Sequence, residues 1–388
     1  MTIYKIIFWI SAFIVLNAMV GYPIFLFILD KILKKPEIKK NYQYEPTVTI
    51  MVVAHNEEKV IKEKLENLIK VDYPIDKFEI LVTSDYSTDK TNELVEKFII
   101  ENPEYKVKLH KTVNHGGKTN AQNEAQKNVK SEILIMTDAN CYFDKRAVRE
   151  MVACFEDQDV GYVCGATIFT NTKRNDTAQS ENTYWDLDSK CRDIESRIQT
   201  ITAGDGNLYA CRTCEYKDIP LIECHDSSFP IVFALQNKKA LFDPKSIAYE
   251  KAGESNGDEY KRKVRMNRNL FHNILPSFKI LNIFKYKWFS VFYFGHRTCR
   301  YLLWISHLLL LLSNIGLAFS EGYFWKILLF LHLCFYIISL IGIKVNIKNV
   351  LIRMMSYYSL TVLAQWNGVY NIITGRIKPT WAKAESTR

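Results

Sequence analysis

Near the N-terminus, the 24 residues from Ile6 to Leu29 carry no charge. A helix needs about 20 apolar residues to cross a hydrocarbon core roughly 30 Å thick, so this stretch is long enough to span one. It is too long for the apolar region of a secretory leader, and no small-residue cleavage site follows it. Tyr301 to Ser320 is a second uncharged stretch, and Tyr323 to Ile343 a third, broken only by Lys326. Met354 to Gly375 is apolar too, but contains Gln365, Asn367 and Asn371. Lys31, Lys34, Lys35, Lys39 and Lys40 follow the first stretch and Lys5 alone precedes it, which places the segment after Lys31 on the cytoplasmic side. If every C-terminal stretch crossed, Arg376, Lys378, Lys383 and Arg388 would lie outside, against the same rule. Met354 to Gly375 is therefore expected to lie along the interface or to re-enter. The reading is of a multi-pass protein of the cell membrane, with membrane lipid as a partner.

Composition narrows the rest. The chain has 388 residues, 48% hydrophobic and 24% charged, with 15 glycines and 10 prolines, which excludes disorder and collagen-like repeats. The net charge of +9 is modest for this length and carries no nucleic-acid argument, so no nucleic-acid partner is expected. The nine cysteines are odd in number and scattered, which suits a reducing compartment rather than a disulfide framework. Cys211 and Cys214, with Cys224 and His225 further on, could form a zinc site, but small buried side chains are the favoured reading.

Residues 46 to 280 alternate between short β-branched runs and amphipathic stripes. Strands are expected at Thr47–Ala54, Phe78–Thr83, Tyr105–Leu109, Ile133–Met136 and Val160–Ala166. Between them, helices are marked by Val60, Leu65, Leu68 and Ile69, by Leu94, Val95, Phe98 and Ile99, and by Ala121, Ala125 and Val129. A last one is marked by Ala147, Val148, Met151, Val152 and Phe155. Asn56, and Ser87 or Thr88, stand where they could cap the first two helices. The pattern predicts an α/β domain with a mostly parallel sheet and a ligand at the carboxyl ends of its strands. Neither G-x-G-x-x-G nor G-x-x-x-x-G-K-[ST] occurs, so a dinucleotide fingerprint and a P-loop are unsupported. Polar residues gather where the ligand is expected: His55, Asn56 and Glu57, then Asp85, then Lys118 in HGGKTNAQ, then Asp138 and Asn140 in MTDAN. Taken singly each suits a cap or a turn, but capping does not explain their recurrence along one sheet edge.

With these motifs the chain resembles the membrane-bound family 2 glycosyltransferases, the group of bacterial capsule, cellulose, chitin and hyaluronan synthases. The resemblance rests on VTIMVVAHNEE (48–58), EILVTSDYSTDKT (79–91), GGKTNAQNEA (116–125), MTDAN (136–140), GDGNLYACR (204–212), CHDSSFP (224–230), KRKVRM (261–266) and the closing WAKAESTR. It implies a GT-A, Rossmann-like domain on the cytoplasmic side, an inverting transfer from a UDP-sugar, and a saccharide or lipid-linked acceptor. It also implies Mg²⁺ or Mn²⁺, held by Asp138 and by Asn140, which stands where the family has a second aspartate. By the same resemblance Lys118 lies near the diphosphate, Asp85 at the base, and Glu57, with its neighbours His55 and Asn56, near the nucleoside. Asp226 is the general base, with His225 in place of the usual carboxylate before it. Arg262 and Arg265 match an arginine motif for the leaving phosphates, on a helix starting near Glu259, with Met266 where tryptophan is usual. Asp205 lines the acceptor side. For Asp226 the competing role is a cap for a helix expected at Ile231 to Asn237.

The expected organisation is an N-terminal membrane helix (1–30), a basic linker (31–45), a nucleotide-sugar half (46–165) and an acceptor half (166–280). An interfacial segment (281–300), C-terminal membrane helices (301–375) and a basic tail (376–388) follow. Two other classes compete. A nucleotide-sugar binder without catalysis is suggested by Asn140, His225 and Met266, but Asp138, Asp226, Lys118 and Arg265 weigh against it. A transporter is disfavoured because the spans are few and lack paired intramembrane charges. The few spans also favour addition of one or a few sugars over processive capsule synthesis, although a homo-oligomer could supply further helices.

Overall fold

The computed structural model describes residues 2–171, 176–251, 256–345 and 349–380. The chain forms two compact units, one of Met1–Leu29, Glu254–Asn282 and Ser290–Ile377, the other of Asp30–Gly253, Ile283–Phe289 and Lys378–Arg388. The segment 254–282 thus groups with the terminal helices, whereas the sequence reading ran the acceptor half through it.

In the second unit β1 (Val48–Ala54) is buried along its whole length. Ile50 and Val52 face one core with Leu65, Leu68, Ile80, Val82 and Phe98, and Met51 faces another with Leu134, Met136, Tyr162 and Tyr209. Apolar side chains on both faces are what a strand covered on both sides requires. Around it lie β2 (Phe78–Ser84), β3 (Val107–Lys111), β4 (Ile133–Asp138), β5 (Tyr142–Phe143), β6 (Val160–Phe169), β7 (Tyr209–Arg212) and β8 (Lys239–Glu250). They make one eight-stranded sheet in the order β3-β2-β1-β4-β7-β6-β8-β5. β1 to β4 are parallel to one another. β7 runs antiparallel to both β4 and β6, and β5 antiparallel to β8, so the sheet is mixed. The sequence carries no strand pattern for β5, β7 and β8. β7 is only four residues long, and β8 contains Asp243 and Pro244, which interrupt an apolar pattern.

The expected helix caps are different in the structure. The helix after β1 is Ile61–Leu68, with Val60 at its N-cap, and the helix after β2 is Thr91–Glu101, with Lys90 at its N-cap. Asn56 instead accepts hydrogen bonds across the loops, from the Thr88 and Asp89 amides at 2.7 and 3.3 Å. The linker is not a free basic strand either. Lys40 Nζ lies 2.8 Å from both Glu150 and Asp243, which ties 31–45 to the domain.

Helical structure runs from Thr2 to Leu33 with a wide turn at Asn17–Gly21, and its residues up to Leu29 belong to the first unit. Thr2–Leu33, Leu303–Ser320 and Tyr323–Lys344 are long and apolar enough to cross a membrane. Phe8 packs with Leu317, Ala318 and Trp325, and Lys5 pairs with Glu321 at 2.8 Å. Val350–Ile373 is a helix whose polar residues have local work. Gln365 accepts from the Trp304 amide at 3.1 Å and donates to the Arg300 carbonyl at 2.9 Å, and Asn367 donates to the Tyr260 hydroxyl at 3.1 Å. These bonds explain why an otherwise apolar helix contains amides.

Candidate active site

The first wall of the site is built by loops that satisfy each other. His55 Nδ1 lies 2.7 Å from the Asp85 carbonyl oxygen, and the Glu57 amide donates to Thr91 Oγ1 at 2.7 Å. Asp85 is fully buried, and its carboxylate accepts from the Gly116 amide at 3.0 Å and the Gly117 amide at 2.9 Å. His115 Nδ1 is 2.8 Å from the same carboxylate, and the His55 and His115 rings stack at 4.0 Å. His55, Asp85 and His115 are the described residues that come within metal-binding reach of one another. With the Gly116 and Gly117 amides bonded to Asp85, this cluster ties the two loops together. Gly117 sits at φ +90°, and a Cβ there would lie 2.6 Å from the Pro379 carbonyl oxygen, so glycine is required both by conformation and by the close approach of the tail. Trp381 to Arg388, the closing motif of the resemblance, lies outside the described residues.

The second wall collects charge. Lys118 opens the helix α1 (Lys118–Gln126), and its Nζ pairs with Asp138, the last residue of β4. Burial alone would lower the Lys118 pKa, but the Asp138 and Asp226 carboxylates more than offset it and push it up to about 12. Lys118 Nζ also donates to the Gly206 carbonyl at 3.3 Å. A Cβ on Gly206 would lie 3.4 Å from Lys118 Nζ and 3.7 Å from Asp226 Oδ2, so the GDG turn lies between the two charges.

Asp226 lies in the first turn of the helix α2, which runs from His225 to Leu235, so the expected helix at 231–237 begins six residues earlier. Cys224 is its N-cap, and no side chain makes a capping hydrogen bond there. The capping role weighed for Asp226 is therefore not what the structure shows. Burial raises the Asp226 pKa, with Asp205 and Asp138 adding to the rise and Lys118 opposing it. The preceding His225 is fully buried, 2.6 Å from the Tyr216 hydroxyl, 2.9 Å from Gln122 Oε1 and 3.0 Å from Asn123 Oδ1. It packs edge-on against Phe229, and burial lowers its pKa to about 3. It is a neutral tie between α1 and α2.

Three further residues support the site, and of these only Asn207 lies in a quoted motif, GDGNLYACR. Lys64, in the helix Ile61–Leu68, is fully buried and donates to Thr137 Oγ1 at 3.0 Å and to the Cys141 carbonyl, which braces both sides of the 138–140 turn. Its pattern, KEKLENL, reads as a solvated face. Asn207 Nδ2 donates to Glu250 Oε2 at 2.6 Å, and Asn140 Nδ2 donates to Glu250 Oε1 at 2.9 Å. Burial raises the Glu250 pKa to about 7, with Asp138 and Asp205 adding to the rise. The two amide donors oppose it and favour the accepting carboxylate. Glu250 is far from the other site residues in sequence and has no motif around it. Asp205 accepts from the Asn207 amide at 3.1 Å in the same turn.

Arg262 and Arg265 are in the other compact unit, on the helix α3 (Asn256–Met266). Arg262 is engaged by Glu259 through Nε at 2.7 Å and Nη2 at 2.9 Å. Lys263 pairs with the same carboxylate at 3.3 Å, and Met266 is half exposed. All nine cysteines are free thiols, with Cys211 buried and Cys214 exposed. Among the described residues they gather in no metal-binding group.

Residues 49–212 match the family model described as "Glycosyl transferase family 2". "Probable glycosyltransferase YdaM" of Bacillus subtilis is 32% identical over 132 residues, 34% of this chain and 31% of that one. The "Beta-monoglucosyldiacylglycerol synthase" of Nostoc sp. is 30% identical over 154 residues, 38% of this chain and 33% of that one. The chain thus spans about a third of the length of these curated relatives. The structure of "Mannosyltransferase PcManGT from Pyrobaculum calidifontis in complex with GDP-Man and Mn2+" superposes with a TM-score of 0.72 at 19% identity, covering 96% of this chain and 100% of that one. At that identity the match establishes the GT-A fold alone.

Proposed function

From the family 2 glycosyl transferase domain that this chain carries, we propose that it moves a sugar from a UDP-sugar to a lipid-linked or saccharide acceptor, with inversion at the anomeric carbon. The observation that carries this reading is the meeting of Lys118, Asp138 and Asp226 around the Gly206 turn. An inverting displacement needs one base, on the face opposite the leaving group. Asp226 takes the proton of the acceptor hydroxyl, and its raised pKa suits a base working nearer neutral pH. Lys118 holds a point charge beside the leaving diphosphate. Asp138 and the Asn140 amide oxygen are hard donors of the kind Mg²⁺ and Mn²⁺ take, so these residues fit a divalent cation. Such a cation, when bound, offsets the negative charge that develops on the diphosphate. Asp85, with His55, Asn56 and Glu57, shapes the nucleoside side.

The three apolar helices and the lysines after Leu29 support a multi-pass membrane protein with its catalytic unit on the cytoplasmic face. The glycolipid synthase activity by which the Nostoc relative is named supports a lipid acceptor. The test is nucleotide release by the full chain in lipid nanodiscs, with and without diacylglycerol, from UDP-glucose, UDP-N-acetylglucosamine, UDP-galactose and GDP-mannose. Release from one UDP-sugar, stimulated by acceptor and abolished by EDTA, is expected. Release from none of the four, or undiminished release in excess EDTA, sinks the proposal. Product sizing then separates the addition of one or a few sugars from polymer synthesis.

A further inference from the structure

Asn140 occupies the place where the resemblance leads one to expect a carboxylate. The difference is one of symmetry as well as charge. A carboxylate offers a cation an oxygen whichever way it turns, whereas an amide offers an oxygen in one orientation and an N–H donor in the other. An asparagine can ligate a cation dependably only when a neighbour fixes its amide. The structure supplies one. Asn140 is 6% exposed, and its Nδ2 donates to Glu250 Oε1 at 2.9 Å. When ionised, the Glu250 carboxylate only accepts, so the amide nitrogen then faces Glu250, as it does here, and the oxygen faces away from it.

Glu250 is itself held in place. Asn207 Nδ2 donates to its other oxygen at 2.6 Å and to Thr167 Oγ1 at 3.1 Å. Glu250 also ends β8, in register with Phe169 of β6, so its backbone is fixed by the sheet. Both carboxylate oxygens are therefore committed to amide donors from two different loops.

We propose that Glu250 is a positioning residue that locks the Asn140 side chain with its oxygen available to a divalent cation, so that Asn140 and Glu250 together replace one ligand carboxylate. The proposal rests on the cation-dependent reading above. In Glu250→Gln the single remaining oxygen can serve only one of the two amide donors, and the new NH₂ group favours a flipped Asn140. Losing a partner that orients a ligand typically costs about 10–100-fold in metal affinity. In Asn140→Asp a second carboxylate would face Glu250 across the same contact, so the added charge should bring no gain. In the double variant the new amide at position 250 can donate to the new carboxylate at position 140, and affinity should return.

The experiment is Mn²⁺ binding to the full chain with UDP present, followed by the loss of the free Mn²⁺ electron paramagnetic resonance signal. Metal-free UDP binding and the thermal midpoint report folding. Expected are a loss of about 10–100-fold for Glu250→Gln, parental or weaker affinity for Asn140→Asp, and recovery to near the parent in the double variant. Parental affinity in Glu250→Gln, or a folded double variant that does not recover, overturns the proposal. Should Glu250→Gln not fold, Asn140→Asp decides alone, and Mn²⁺ binding tighter than the parent overturns it. If the parent with UDP takes up no Mn²⁺, the cation-dependent reading itself fails and this proposal falls with it.

Discussion

The two walls of the site are made of similar residues used in opposite ways. On the proposed nucleoside side, Asp85 is surrounded by donors, and Asn56 and His55 are spent on backbone contacts. On the proposed reaction side, the Asp138 carboxylate raises the proton affinities of Lys118, Asp226 and Glu250, and Lys118 and Asp226 act on each other. Saturated hydrogen bonds make a rigid surface for recognition. Incompletely balanced charge in a partly dry site is what proton transfer and phosphate departure use. The contrast predicts that damage to the first wall costs binding and folding, whereas damage to the second costs rate.

Asp226→Asn should show the largest effect and the sharpest contrast. It keeps shape and removes the base, so sugar transfer should fall about 10²–10⁴-fold while UDP affinity stays near the parental value. Transfer at near-parental rate would break the comparison and move the search to Asp205.

Asp85→Asn should behave the other way. Its amide can accept on one side only, which leaves the Gly116 or Gly117 amide buried without a partner, at a cost of about 1–3 kcal/mol. A lower thermal midpoint and weaker UDP binding are expected, with the chemical step at saturating donor little changed. A fall in turnover at saturation with unchanged UDP affinity would show that the walls are not separate.

His225→Gln should give the smallest effect, visible as a pH dependence. The folded-state pKa near 3 lies below the ordinary 6.5, so between those values the unfolded chain binds more protons. The stability that neutral His225 contributes is therefore complete above pH 6.5 and lost as pH falls toward 3. The thermal midpoint of the parent should drop more steeply than that of the variant from pH 6.5 to 4.5. Parallel curves would mean that His225 carries a proton in the folded protein.

How far the sequence could be read follows the same division. β1, β2 and β4 and the loops after them were legible because a doubly buried parallel strand is a short apolar run with polar residues at its end. Asp138 and Lys118 could be found that way, one strand and one turn at a time. β7 and β8 were not legible, since a four-residue strand and a strand broken by Asp243-Pro244 carry no periodicity. The helix of Asp226 was misplaced because Pro230 lies inside it and its N-cap is a cysteine. Lys64 looked like surface, and only packing turned it into a buried brace.

By itself, the sequence determined which segments are apolar enough for a membrane, the α/β character of the middle, and the set of carboxylates and basic groups available for chemistry. These follow from local patterns, since hydropathy and strand periodicity are properties of neighbours along the chain. Tertiary structure alone decided which of those charges meet. It brings Glu250 to Asn140, 110 residues away in the chain, and leaves His225 neutral beside Asp226, the proposed base. The reason is physical: proton affinity and amide orientation depend on burial and on partners, and the sheet chooses both when β7 inserts antiparallel between β4 and β6.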